Sequence, residues 1–222
     1  MTTTRIDPIA PKPPSTGAQI APSSLDAEAD APYVRVGRRL VFENQRFHIY
    51  ADHLRDPAGE EIPDYLTVIP KIPDPDEVVG VSILPEIGGR FQLLRIYRPA
   101  FERWMWEAPG GFRDSGETTA ESALRELTEE TGLVCQPENL HFLGAASHAP
   151  GVIRSKVHMF AALDCQRQRS VSSDEIGMDQ NTFLFTPDQV HDLMAEEKLM
   201  DAASVIGFHR AMLLQAFGRP NR

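Results

Sequence analysis

The chain has 222 residues, 41% of them hydrophobic, and a formal net charge of −10, which predicts about one domain with a single good core. This acidity argues against duplex nucleic acid as a partner, because phosphate binding needs a basic face. The two cysteines have no close Cys or His neighbours in the sequence, so they indicate neither a disulfide framework nor a zinc site. No apolar run reaches the roughly 18 residues of a membrane span, and the N-terminus lacks a signal-peptide pattern, so we expect no membrane partner and a cytoplasmic protein.

The first segment, residues 1–32, contains six prolines and no aromatic residue. Such a segment cannot bury enough apolar surface to offset the entropy of ordering, so we predict a disordered tail. Residues 33–75 then show three strand-like segments, with a turn at Asp56-Pro57-Ala58-Gly59. We predict an N-terminal antiparallel β region, whose strands are Arg39–Glu43, Arg46–Tyr50 and Tyr65–Ile69.

Residues 76–218 are predicted to form the main domain. Its first element is a hairpin, in which Gly88-Gly89 separates the apolar segments 78–84 and 91–97. Thr186 followed by Pro187 predicts the start of a helix that runs to about residue 197, and Asp201 predicts the cap of a last helix through Phe217. Further strands are predicted at 140–146, 156–163 and 182–185.

A helix predicted after the hairpin carries three glutamates on one face. Glu126, Glu129 and Glu130 stand at positions i, i+3 and i+4, where side chains of a helix are neighbours. Like charges so placed repel one another unless a cation or a basic partner neutralises them. Hard oxygen ligands favour Mg²⁺ or Mn²⁺, so the spacing predicts a divalent-metal site.

The residues around this helix favour a site over a solvated face, which is the commoner meaning of a Glu-rich helix. Gly110 and Gly111 allow the backbone to approach the carboxylates closely, so that a carbonyl there can complete a metal's shell. Arg125 lies within reach of Glu117 in the preceding loop, and we expect it to anchor that loop. Thr118 and Glu121 predict a capping box, and Gly132 predicts the helix end, in register with the cluster.

Residues 111–133 match the Nudix box, Gly-x5-Glu-x7-Arg-Glu-U-x-Glu-Glu-x-Gly-U with U aliphatic, at every specified position. The chain thus resembles the Nudix family, α/β/α sandwich hydrolases that cleave nucleoside diphosphates linked to another group. The resemblance implies an α/β fold of this type with a mixed sheet, preceded here by the N-terminal antiparallel sheet. It implies that Glu126, Glu130 and the Gly110 carbonyl are metal ligands and that Glu129 is a ligand or supports one; the implied structural residues are Gly111, Glu117, Arg125 and Gly132.

From Tyr33 to Phe217 the order of elements resembles the ADP-ribose pyrophosphatase branch of that family. The segment Ser147–Gly151 is similar to its proline-bearing loop. One departure from the family lies before the box, where residues 109–111 are Pro-Gly-Gly instead of the usual Pro-Ala-Gly. The branch implies a homodimer, with Arg98 on the phosphates of a small nucleotide substrate. The alternative for Arg98 is an ion pair with a surface carboxylate. It also implies an adenine stacked between aromatic residues of the N-terminal sheet, partly from a second subunit, and Phe47 and Tyr65 are the most similar positions. Packing roles for both rings remain the alternative.

Hydrolysis requires a water molecule that attacks the diphosphate, and a carboxylate on a loop can position it. We expect this residue in the acidic loop 172–179. Glu175 is the first candidate and Asp179 the second, against the alternative that the loop is merely solvated. Together, these resemblances imply Mg²⁺-dependent hydrolysis of ADP-ribose to AMP and ribose 5-phosphate, with Mn²⁺ as the other metal. GDP-mannose or another nucleotide sugar is the alternative substrate. A ligand sensor that regulates transcription is disfavoured, because the box is complete and the tail has no helix-turn-helix.

Overall fold

The computed structural model describes residues 31–72, 76–168, 177–179 and 181–217. Most of the predicted tail, the boundary predicted at residue 75 and the candidate base Glu175 lie outside these residues, so these predictions remain untested. Within the described residues, none of the helices is long and apolar enough to cross a membrane.

The N-terminal sheet consists of strands β1 (Val34–Glu43), β2 (Phe47–Arg55) and β3 (Glu61–Pro70), antiparallel and in that order. All three are longer than the predicted segments, because main-chain pairing extends past the apolar residues from which they were predicted. Inside the sheet, Arg38 donates from Nε and Nη2 to the buried carboxylate of Asp52, at 2.6 and 2.7 Å. Many apolar side chains of the sheet are exposed, among them Val34, Leu40, Val41, Phe42, Ile62 and Leu66.

A seven-stranded sheet forms the centre of the main domain. The predicted hairpin is present as β4 (Val78–Ile87) and β5 (Arg90–Arg98), followed by β6 (Arg103–Glu107), which the sequence did not predict, and β7 (Gly110–Phe112). A two-residue strand β8 (Leu133–Val134) precedes the predicted strands β9 (Leu140–Ala146) and β10 (Lys156–Ala162); β11 (Gln166–Arg167) pairs with β8. With β12 (Phe183–Phe185), the order is β12-β5-β4-β10-β9, with β6 on β5 and β7 on β4. Among the strands of this sheet that the structure describes, β4 and β10 pair in parallel and the other pairs are antiparallel, so the sheet is mixed.

Helices cover both faces of this sheet. They are α1 (Thr119–Thr131), α2 (Pro187–Ala195) and α3 (Ala202–Phe217). Because side chains alternate along a strand, Ile83 of β4 packs with Leu127 of α1, while its neighbour Leu84 packs with Phe208 of α3. The result is the expected α/β/α sandwich, with a separate antiparallel sheet at its N-terminus.

The N-terminal sheet contacts the main domain through the loop between β9 and β10. Val68 of β3 donates its N–H to Val152 at 2.8 Å and accepts from the N–H of Arg154 at 3.0 Å. Tyr65 donates its hydroxyl to the carbonyl of Gly151. The loop is therefore held by main-chain hydrogen bonds to a strand far away in sequence.

Candidate active site

The helix α1 has the termini that the sequence predicts. The Glu121 N–H donates to the Thr118 hydroxyl at 3.2 Å, and the Thr118 N–H donates to the Glu121 carboxylate at 2.8 Å, which completes the capping box. Gly132 ends the helix at a φ of 69°, in the left-handed conformation. In the helix with these termini, Leu127 is buried and Glu126 and Glu130 lie near β7.

Two of the three glutamates lie against the backbone of β7. The Gly110 N–H donates to Oε2 of Glu130 at 2.7 Å, and Glu130 is only 5% exposed. The carboxylate of Glu126 lies so close to Gly111 that a Cβ at that glycine would overlap it. Both carboxylates thus reach consecutive glycines of one strand, as the spacing of the box predicts.

Arg125 joins the helix to the preceding loop and to the other glutamates. Its Nε donates to Glu117 at 3.0 Å, and its Nη1 donates to Glu126 at 2.8 Å and Glu129 at 3.2 Å. Hydrogen bonds from Arg125 and then from Ser122 lower the pKa of Glu117 to about 2. The predicted contact with the loop is present, and the same guanidinium also orients two carboxylates of the cluster.

The donor set fits a hard divalent cation. Burial raises the pKa of Glu126 even though Arg125 donates to it, so its negative charge is incompletely compensated in the protein alone. No group of three or more His, Cys, Asp or Glu side chains is arranged as a metal site in the described part of the chain. Glu126, Glu130 and the Gly110 carbonyl remain the predicted ligands, and such a set would leave the rest of a shell to water and phosphate oxygens, which is the usual manner of binding Mg²⁺. Glu129 is the most exposed glutamate of the cluster, and its role as a ligand remains a prediction.

A cleft of about 380 Å³ opens beside β7. It brings together residues from β2, β4, β5, β6, β7, the β9–β10 loop and the start of α3. A nucleotide phosphate entering it would face the two glycines of β7. The polar and charged side chains of its lining are Ser82, Arg98, Glu107, His148, Ser155 and Asp201.

Arg98 lies in this cleft, but its guanidinium already holds a carboxylate. Nε and Nη2 donate to the two oxygens of Glu107 at 2.8 and 2.7 Å, a bidentate pair. The side chain of Glu107 is only 12% exposed. The sequence identified Arg98 without its partner, because the pair depends on the packing of β5 against β6. Its role on the phosphates remains a prediction.

The two aromatic residues predicted to stack on a base line different clefts. Phe47 lines the main cleft and packs edge-on against Phe112, with ring centroids 6.0 Å apart. Tyr65 lines a second cleft of about 280 Å³ beside the β9–β10 loop. Within one protomer the two rings therefore do not share a pocket, and a common base site would need rings from two subunits.

Of the two candidates for the base, Asp179 lies in the described residues. Its carboxylate accepts the Asn181 backbone N–H at 3.0 Å and lies 3.5 Å from Arg95. The hydrogen bonds from Asn181 and the charge of Arg95 lower the pKa of Asp179. These contacts disfavour Asp179 as a base, because they stabilise its charged form.

The sequence missed the site roles of Glu107 and of the pair His148 and Asp201. Asp201 was identified only as a helix cap, and His148 only as part of a loop. Their signals in the sequence were the similarity of residues 147–151 to a proline-bearing loop and that of residues 199–204 to the entry of the C-terminal helix in the same branch. The fold brings both into the cleft from segments more than fifty residues apart.

Comparison with known proteins matches residues 74–204 to the model of the NUDIX domain. An ADP-ribose pyrophosphatase from Bacillus subtilis (strain 168) is 24% identical over 182 residues, which are 81% of this chain and 89% of that protein. A methanol dehydrogenase activator from Bacillus methanolicus is 27% identical over 146 residues, 64% of this chain and 75% of that protein. The solved structure of an ADP compounds hydrolase matches the fold with a TM-score of 0.70 at 22% identity, covering 87% of this chain and 100% of that one.

Proposed function

Because this chain belongs to the NUDIX domain family and is a Nudix hydrolase, we propose that it hydrolyses the diphosphate bond of a nucleoside diphosphate sugar. ADP-ribose is the proposed substrate, and water adds across its diphosphate to give AMP and ribose 5-phosphate. The observation that carries the proposal is the placement of Glu126 and Glu130 against Gly110 and Gly111, two glycines that line a cleft. The likeness to an ADP-ribose pyrophosphatase over most of both chains supports the choice of substrate.

We propose Mg²⁺ as the metal, with Mn²⁺ as its substitute. Glu126, Glu130 and the Gly110 carbonyl would hold it. When bound, such an ion neutralises phosphate charge and lowers the pKa of a coordinated water. Arg125 holds Glu126 in place, and the buried Glu130 is fixed by the Gly110 N–H. Glu175 is proposed to position the attacking water.

We further propose a homodimer that associates through the N-terminal sheet. The sheet exposes a set of large apolar side chains on β1 and β3, more than a monomer's surface usually concentrates in one place. A second subunit at this sheet would bring another aromatic residue toward a base held by Phe47 or Tyr65.

A hydrolysis panel tests the substrate. ADP-ribose, GDP-mannose, UDP-glucose, diadenosine polyphosphates and NADH are each incubated with Mg²⁺, and the products are separated by chromatography. We expect the highest kcat/KM for ADP-ribose, with AMP and ribose 5-phosphate as products. A higher kcat/KM for GDP-mannose or another nucleotide sugar would reassign the substrate, and no hydrolysis of any compound would refute the proposal.

Replacing the aromatic residues tests the base site. We expect Phe47→Ala and Tyr65→Ala each to weaken binding of ADP-ribose by about 1–3 kcal/mol, which is the range for stacking on one base. The loss should appear in KM rather than in kcat, because the base is remote from the scissile bond. Phe142→Ala is the control, since Phe142 is an exposed aromatic residue outside the main cleft. An unchanged KM with lower thermal stability would identify the two rings as packing residues.

A further inference from the structure

His148 and Asp201 form an ion pair on the wall of the cleft, outside the box. Nε2 of His148 lies 3.4 Å from Oδ1 of Asp201. His148 lies in the loop after β9, and Asp201 immediately precedes α3. Both residues line the same cleft as Gly110 and Gly111. Their charges therefore face the space that a diphosphate bound at β7 would enter.

Asp201 is rigidly oriented by hydrogen bonds on its other oxygen. Its Oδ2 accepts the N–H of Ser204 at 2.8 Å and the hydroxyl of Ser204 at 2.7 Å. The same hydroxyl oxygen accepts the N–H of Ala108 at 2.8 Å, which ties the start of α3 to the segment before β7. Oδ1 is left to face His148. The imidazole is thus held by a carboxylate that is itself tied, through Ser204, to the segment that precedes β7.

A phosphate bound in this acidic cleft would require a cationic side chain with a free hydrogen-bond donor. Its acidic side chains include Glu107 and Asp201, and Glu126 and Glu130 lie beside it. Arg98 is already bound in a bidentate pair by Glu107. His148 contacts Asp201 through Nε2, and in the described part of the chain its Nδ1 has no hydrogen-bond partner. An N–H at Nδ1 can donate to a ligand while Nε2 stays with Asp201.

The charged groups around His148 favour its protonated form. The hydrogen bond and charge of Asp201, from the start of α3, raise the pKa of His148 against the opposing effect of burial. Glu107, from β6, raises this pKa further. Arg98 of β5 also lines the cleft, and its charge is balanced by Glu107. The imidazolium therefore persists to higher pH than that of an isolated histidine.

We propose that His148, oriented by Asp201, donates from Nδ1 to a phosphate oxygen of the substrate and so selects for a diphosphate in this cleft. This inference rests on the proposed hydrolysis of a nucleotide diphosphate, but it does not depend on which base or sugar the substrate carries. His148 acts as a binding residue whose protonated form Asp201 favours, and Asp201 acts as its positioning residue.

Binding of inorganic pyrophosphate, measured by isothermal titration calorimetry at pH 6 and pH 9, tests the contact. We expect His148→Gln to weaken binding about tenfold relative to wild type at pH 6, because a hydrogen bond to a charged group is lost. At pH 9 the difference between wild type and His148→Gln should be smaller than at pH 6, since a larger fraction of wild-type His148 is then neutral. His148→Lys, which stays charged, should bind at least as tightly as wild type at pH 9. Asp201→Asn should shift the pH dependence toward lower pH.

His53→Gln is the matched control, because His53 pairs with Glu61 in the N-terminal sheet and is absent from the lining of the cleft. Equal affinities of wild type and His148→Gln at pH 6, or no binding by wild type, would overturn the inference. Pyrophosphate has neither base nor sugar, so this result is independent of the substrate panel. The failure of ADP-ribose as a substrate therefore remains distinguishable from the failure of the His148 contact.

Discussion

At the scale of single residues, the absence of side chains at Gly110 and Gly111 lets β7 lie close to β4 and to the carboxylate of Glu126. A Cβ at Gly110 would fall on the carbonyl oxygen of Val81 in the neighbouring strand, and one at Gly111 would fall on the carboxylate of Glu126. Glycine is therefore required here for close approach. The usual alanine of the related Pro-Ala-Gly segment corresponds to Gly110, so this chain brings β7 nearer to β4 than a side chain would allow.

Glu130→Gln is expected to abolish most turnover and keep the fold. The amide retains an oxygen that can accept the Gly110 N–H, but it removes the charge that holds a metal. We expect kcat/KM to fall on the order of 100-fold or more, the size typical for loss of one electrostatic group in a transition state. Steady-state kinetics at saturating Mg²⁺ measures the fall, and circular dichroism monitors the fold. Glu138→Gln serves as the control, and a near wild-type kcat for Glu130→Gln would contradict the metal assignment.

The sequence predicted contacts between residues of the candidate site where those residues lie on α1 or in the segment that leads into it. Glu126 and Glu130 lie one turn apart on a helix, so their shared face follows from helical geometry alone. The pairing of Arg98 with Glu107 depends on the packing of two strands, and the pairing of His148 with Asp201 depends on the approach of a loop to α3. A single sequence contains no periodicity that reports such distant contacts.

At the scale of elements, the loop before α1 is fastened to the helix by Glu117 and Arg125. Hydrogen bonds lower the pKa of Glu117 to about 2 from an ordinary value of 4.5. A carboxyl group whose pKa is lower in the folded state stabilises the fold above its unfolded pKa, and the contribution is lost as the pH falls through the folded pKa. The relevant window is therefore pH 4.5 down to about 2.

Glu117→Gln is expected to lower the free energy of unfolding at pH 7 by about 1–2 kcal/mol, a value reduced for solvent screening of a partly exposed pair. The gap between wild type and variant should narrow as the pH falls from about 4.5 toward 2. Urea denaturation at a series of pH values measures both proteins. Glu138→Gln should show no such gap at any pH, and a Glu117→Gln gap that stays constant with pH would contradict the role of the pair.

Most of the longer elements were predicted from the sequence, whereas β6 and the short strands β7, β8 and β11 were not; β6 shows one reason. Its central residue Met105 is buried, while Trp104 and Trp106 point to the other face, where Trp104 is exposed and Trp106 packs against Phe183. Apolar residues on both faces hide the alternation by which a half-buried strand is identified. The helix α1, by contrast, was predicted with both ends because its capping residues are adjacent in sequence.

At the scale of the whole molecule, the N-terminal sheet exposes apolar side chains that a second subunit would cover in the proposed dimer. The double substitution Leu40→Ser and Phe42→Ser is expected to convert a dimer to a monomer. Each side chain contributes about 1.5–3 kcal/mol when fully buried, so the dimer should weaken at least 100-fold. Size-exclusion chromatography with light scattering measures the mass. Phe142→Ser, on the separate sheet, is the control, and a monomeric wild-type protein at micromolar concentration would refute the dimer.

The main-chain attachment of the β9–β10 loop to β3 has a consequence for how this protein can evolve. The loop that contributes His148 is supported at Val152 and Arg154 by Val68 of the N-terminal sheet. Glu126 and Glu130 are held in place by α1, which is joined to the preceding loop by the hydrogen bond from Arg125 to Glu117. Because these two supports share none of these residues, mutations in the sheet can reshape the loop while leaving the chemistry of α1 intact. Selection can thus change the wall of the cleft at this loop without first altering the glutamates of α1.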